Sequence, residues 1–263
     1  MSALLRKTVR DQQRGVLAWA IGFAGVAAVY SAFYPSVLRS AGALQRYLAN
    51  LPEAFRNLIG TDFTTPAGYL RTETFSILAP VLLLVFAIGA GSRAIAGEEE
   101  ARTLDLLLST PVRRRDVLFD KWVAMAAAAM CLTAVLGLTI VVVGPTFKLR
   151  IAIVDVSSAC LMLYLLGMAF GTVALALGCF TGRRGLAYGV TGAAATITYV
   201  VNALAPSVKV LSHLRPLSPF RWYLEPDPLV VGITAANVAV LAGIAIVAYV
   251  AAWVSFGRRD LRA

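Results

Sequence analysis

Six apolar stretches, at about 16–34, 75–96, 122–144, 157–180, 186–205 and 230–254, dominate the chain, and none carries a charged residue in its middle. A helix needs roughly 20 apolar residues to cross about 30 Å of hydrocarbon. In lipid every backbone amide must find its partner inside the protein, so a run of this kind is read as a helix. The expected fold class is an all-α membrane protein, one transmembrane domain over 1–263 with six transmembrane helices. Composition points the same way, with 59% hydrophobic and 14% charged residues against roughly 45–50% and 25% in a soluble domain. A globule of this size still needs a polar shell, so the solvent for the excess must be lipid. The first stretch exceeds the about 7–15 residues of a signal-peptide core, and we expect it to be retained.

The net charge of +10 does not indicate nucleic acid, because the basic residues form short clusters between apolar runs rather than one continuous face. Arginines beside an anionic cytoplasmic leaflet account for it. With both termini cytoplasmic, the inner segments hold fifteen of the 24 arginines and lysines and the outer segments nine. Within residues 1–14, Leu4, Leu5 and Val9 can share one helix face and Arg6, Arg10 and Arg14 another, which suggests an N-terminal interfacial helix. Cys131, Cys160 and Cys179 share no ligand-like spacing and read as small buried hydrophobes. No metal site is expected at the single histidine, His213.

The segment between the second and third spans is the most informative. It opens on Gly97-Glu98-Glu99-Glu100, where carboxylates favour a helix N-terminus. Leu104, Leu107 and Leu108 then make an apolar stripe. Thr110-Pro111 is suited to end one helix and open the next, with threonine as cap and proline in the first turn. Arg113, Arg114 and Arg115 lead on into span three. Such a stripe could lie on the membrane surface or dock in a groove of a soluble partner, and amphipathicity alone does not choose.

Ile95-Ala96-Gly97-Glu98-Glu99-Glu100, followed by Thr103-Leu104-Asp105-Leu106-Leu107-Leu108-Ser109-Thr110-Pro111-Val112-Arg113-Arg114 and Lys121, resembles the signature region of ABC-2 type transporter permeases. Leu51-Pro52, Leu58-Ile59-Gly60, Thr65-Pro66-Ala67-Gly68-Tyr69-Leu70 and Pro80 resemble the stretch before it, and Leu217-Ser218-Pro219-Phe220 with Asp227-Pro228-Leu229 a stretch near the end. Arg102 departs from the pattern, standing where many members have glycine. The resemblance implies the membrane-spanning subunit of an ATP-driven exporter in a bacterial cytoplasmic membrane. The cytoplasmic elbow would then be a coupling helix seated on an ABC ATPase subunit through Glu98, Glu99, Thr103, Leu104, Leu107, Leu108, Pro111 and Arg113. Arg183 and Arg184, in the short loop Thr181–Gly185, would be a second contact, or simply flank a tight turn. Two ATPase copies and a second or related permease are implied as partners, with ATP and magnesium held by the ATPase.

The chain has no Gly-x4-Gly-Lys-Ser/Thr loop, so ATP binding of the P-loop kind is not expected in it. Gly89-Ala90-Gly91-Ser92-Arg93-Ala94 matches a dinucleotide fingerprint in letters only, since no strand precedes it. The spans lack the midplane ionisable groups usual in ion-coupled carriers. Tyr188, Thr191, Ala195, Thr198 and Asn202 recur at helical spacing on span five and read either as packing contacts or as a pathway wall. The resemblance implies that span five lies near a dimer interface. Gly167/Gly171 and Gly185/Gly189 are expected to be close-packing points within the subunit. Residues 35–74 are expected to form a long outer loop with an amphipathic helix near 44–51. Pro206–Leu229 reads as a cap on the outer side or as aromatics at headgroup level. An amphiphilic, lipid-like or drug-like substrate is expected. A non-transporting scaffold or sensor, or a membrane-embedded lipid-modifying enzyme, is the alternative.

Overall fold

The computed structural model describes residues 3–49, 65–101 and 113–258, and the regular structure among them is helical throughout. The helices do not end where the apolar runs end. The interfacial helix expected over 1–14 and the first span are one continuous helix, α1 (Ala3–Ala49), which also takes up much of the expected outer loop. Hydropathy marks where lipid-compatible side chains stop, whereas a helix continues through good formers such as arginine, lysine and glutamine. Pro35 lies inside α1 and withholds one N–H from it.

The second span, α2 (Pro66–Ala94), begins well before residue 75. Thr65 caps it by accepting from the Gly68 N–H at 3.1 Å, with Pro66 in the first turn. Over Arg71–Leu78 the winding widens to a π-helix, and the Ala79 N–H reaches back to the Thr74 carbonyl. Pro80 stands just beyond and has no N–H to offer the carbonyl one turn back, a setting in which wider turns occur. After the short α3 (Ala96–Glu100) comes α4 (Arg114–Val143), closed by a 3-10 turn over Gly144–Phe147. Then follow α5 (Ile153–Thr181), α6 (Arg184–Leu204), the short α7 (Lys209–Leu214) and α8 (Pro219–Leu224), and α9 (Ala235–Arg258).

Among the described residues, five helical segments are long and apolar enough to cross a membrane: Gln12–Ser40 within α1, Pro66–Ala94, Arg115–Phe147, Ile153–Thr181 and Ala235–Gly257. The sixth expected span, α6, is helical, but three threonines, two tyrosines and Asn202 dilute its apolar content.

The central α5 packs along α2 and α9, while α1 lies against α4. Contact between α2 and α5 is backbone to backbone: a Cβ on Gly91 would fall 2.0 Å from the Gly171 carbonyl oxygen. Gly171 and Gly167 admit Ala87 and Leu83 in the same seam, so that expected glycine pair does pack. Gly185 and Gly189 do not, because nothing lies within 4 Å of where their Cβ atoms would be. Cys160 and Cys179 are buried as expected, whereas Cys131 sits on an exposed face.

At the end of the bundle away from α3, the Pro206–Leu229 segment is tied inward. Ser218 Oγ caps α8 by accepting from the Phe220 N–H at 3.2 Å and donates to the Thr198 carbonyl at 2.8 Å. Phe220 meets Phe170 and Tyr199, with ring centroids 5.9 and 5.3 Å apart. The fully buried Tyr223 donates its hydroxyl to the Phe75 carbonyl at 2.8 Å, and Arg71 pairs with Asp227 at 3.3 Å. Phe220 and Tyr223 therefore serve the interior rather than a headgroup layer. Burial pushes the Tyr223 hydroxyl well above its ordinary value, so it donates throughout the neutral range. Tyr223→Phe strands a carbonyl of the π-helix and is expected to cost about 1–3 kcal/mol. A thermal midpoint in detergent equal to wild type would contradict that role.

Candidate functional site

The α3 end of the bundle gathers most of the described residues singled out from sequence. Ile95 packs with Val117, Leu118, Leu175, Cys179, Ala252 and Phe256 in a small separate core that joins α4, α5 and α9 beneath α3. Above it, the Glu98 carboxylate forms an ion pair with the Lys121 ammonium of α4, both side chains mostly buried. Glu100 Oε1 accepts from the backbone N–H of Arg184, the first residue of α6, at 2.9 Å. That bond fills a vacancy. Arg183 at the α6 cap position makes no side-chain cap, so a carboxylate from α3 satisfies one of the four N–H groups that a helix start leaves open. The turn is made possible by Gly182, whose φ of 64° is left-handed and which closes α5 by donating to Gly178 O at 2.9 Å. Two bonds thus lead from one short acidic helix to two long ones.

Farther along α6, an apolar groove of about 260 Å³ opens between α2 and α6, lined by Pro80, Leu84, Tyr188, Gly192, Thr196 and Tyr199 among others and bounded by Phe220. The profile of the family described as ABC-2 family transporter protein matches residues 2–261. The chain belongs to the ABC-2 transporter family. No curated protein matches it. An ABC-2 permease is the membrane component of an ABC transporter and normally works with a separate ABC ATPase subunit.

In this ABC-2 permease Glu98 and Glu99 are half-buried, and Arg113, Arg183 and Arg184 are exposed at the same end. Thr103, Leu104, Leu107, Leu108 and Pro111 lie outside the described residues. The helix that feeds span three starts at Arg114 rather than at Pro111, because Arg113 is extended, with ψ of 137°, and acts as the cap position.

The face expected on span five divides. Thr191 and Asn202 turn into the bundle, and Thr198 is half-buried with its hydroxyl bonded to the Ala194 and Ala195 carbonyls at 2.7 and 3.1 Å. Of the five residues expected on this face, Tyr188 and Ala195 line the groove. At about 100° per residue, the face made by Tyr188, Gly192, Ala195, Thr196 and Tyr199 is turned roughly 60° from the one expected. Thr196 and Tyr199 line the groove without a sequence signal of their own, because polar residues mark the packing side of this helix as well.

The Glu98–Lys121 tether can be tested directly. Lys121→Glu is expected to lower stability by about 1–2 kcal/mol, less than a fully buried broken pair because some solvent reaches both groups. The charge swap Glu98→Lys with Lys121→Glu should recover over half of that loss in detergent melting. Strict additivity of the two single effects would argue against a working pair.

Proposed function

We propose that this permease and a second copy or close relative sit on two ABC ATPase subunits and export an amphiphilic substrate. The observation that carries this reading is the double tether of α3: Glu98 to α4 and Glu100 to the start of α6. A motor that grips the adjoining elbow would pull on two long helices at once. Glu98, Glu99, Thr103, Leu104, Leu107, Leu108, Pro111 and Arg113 form the proposed contact, with Arg183 and Arg184 beside it. ATP and magnesium belong to the motor, and this chain's part is mechanical.

In this reading α6 is the sixth span. Its 21 residues reach about 31 Å, and its polar groups face the bundle and the α2 groove. Six spans place both termini on the cytoplasmic side, together with the arginine-rich segments, in a bacterial inner membrane. The outward face of α6, with Gly189, Val190, Ile197 and Val200 exposed, is the surface proposed for the second permease. The apolar α2–α6 groove, bordered by the two tyrosines and Thr196, suits an amphiphile more than an ion.

Purification of the tagged permease from the membranes of its native host tests the assembly. The expected result is a complex of two permeases and two ATPases that survives purification in mild detergent. Intact permease that emerges with no ATPase would refute the reading.

A further inference from the structure

Beside the α3 tether, the start of α1 and the adjoining ends of α2 and α4 enclose a crevice of about 410 Å³. Its lining changes in the same sense on all three helices. Gln12 precedes Val16 and Trp19 on α1, Arg93 follows Ala90 and Phe86 on α2, and Lys121 precedes Met125 on α4. Each helix therefore presents its polar residue toward the α3 end and its apolar residues deeper in. With about 1.5 Å per residue, the apolar wall extends roughly 10 Å below the polar rim. Trp19 and Phe86 meet edge to face across it, with centroids 5.9 Å apart.

The rim is net positive. Glu98 is matched by Lys121, which leaves the Arg93 guanidinium in excess. Arg93 Nε donates to the Gly89 carbonyl at 2.9 Å, which holds its side chain along α2 at the edge of the crevice. A planar fork of N–H donors suits phosphate oxygens. Arg93 is the next-to-last residue of the span Pro66–Ala94 and Gln12 lies four residues ahead of the apolar stretch that opens at about residue 16, so the rim lies at headgroup depth and the apolar wall at acyl depth.

We infer that this crevice binds one anionic phospholipid, with its phosphate on Arg93 beside the Glu98–Lys121 pair and the start of its acyl chains along Trp19 and Phe86. The inference stands apart from the transport reading, because binding is measured on the permease alone.

The test uses purified permease in mixed micelles containing phosphatidylglycerol or phosphatidylcholine with brominated acyl chains, which quench nearby tryptophans. The difference between wild type and Trp19→Phe isolates the signal of Trp19 from the other three tryptophans. Half-maximal quenching is expected at about tenfold lower mole fraction of phosphatidylglycerol than of phosphatidylcholine. Arg93→Gln should erase that preference, and Arg93→Lys, which keeps the charge, should retain part of it. Millimolar glycerol 3-phosphate should leave the quenching unchanged. Equal quenching by the two lipids overturns the inference, as does a preference that survives Arg93→Gln. Displacement by glycerol 3-phosphate overturns it too, since the site would then take a soluble phosphate. Should Arg93→Gln fail to fold, loss of the entire preference in a well-folded Arg93→Lys protein would also count against it.

Discussion

Gly91→Ala is expected to prevent the bundle from assembling. The added Cβ would sit 2.0 Å from the Gly171 carbonyl oxygen and 3.1 Å from the Leu175 amide nitrogen. These are backbone atoms in the middle of a helix, so no side chain can rotate out of the way. Relief requires α2 and α5 to separate along the seam that holds the bundle together, at a cost of about 3 kcal/mol or more. Gly22→Ala is the matched control. Nothing lies within 4 Å of its Cβ position, and removing a glycine from a helix interior should be neutral or gain about 0.5–1 kcal/mol. Thermal midpoints of the two proteins in detergent decide the matter. If Gly91→Ala melts with Gly22→Ala, the close approach of α2 and α5 is not the basis of the fold.

The second large effect is expected at the elbow. Leu104→Asp combined with Leu107→Asp places two carboxylates on a stripe that should be buried against the ATPase. Burial of one leucine is worth about 1.5–3 kcal/mol. Loss of two should weaken the association at least about a hundredfold, at 1.4 kcal/mol per factor of ten. Copurified ATPase and ATP-driven substrate movement in vesicles should both vanish, while the permease still reaches the membrane and elutes as a well-folded protein. ATPase recovery at the wild-type level would mean that the stripe rests on lipid, and the handle would have to be sought elsewhere.

The two predictions draw on different kinds of information. Gly91 attracted attention in the sequence only as part of a spurious nucleotide fingerprint, and its value as a helix contact depends on Gly171, some eighty residues away. The elbow leucines need no fold to be noticed, since their spacing and flanking charges are local.

The same division runs through the molecule. Segment chemistry is local: twenty apolar residues impose a helix in lipid wherever they occur, and glutamates before a leucine stripe mark a solvent-side element. From such signals the all-helical class, the membrane setting, the family and a short acidic element ahead of span three could be read. The position at which a helix ends was not legible in the same way. α1 continues to Ala49 and α2 starts at Pro66, because backbone hydrogen bonding outlasts the apolar run on either side.

Pairings between distant segments were decided by the tertiary structure alone. Tyr223 serving the Phe75 carbonyl, Glu100 capping α6 and Lys121 holding Glu98 each join groups that any polar surface could have satisfied. The rotation of α6 belongs with them. A helix carrying threonine on more than one side has no single polar face until its neighbours choose one, and α2 and α5 chose it by burying Thr191 and leaving Thr196 to the groove. Sequence by itself determined what each segment had to be, because that follows from local side-chain chemistry against lipid and water. Only the packed bundle decided which faces met, because contact geometry is a property of two surfaces together.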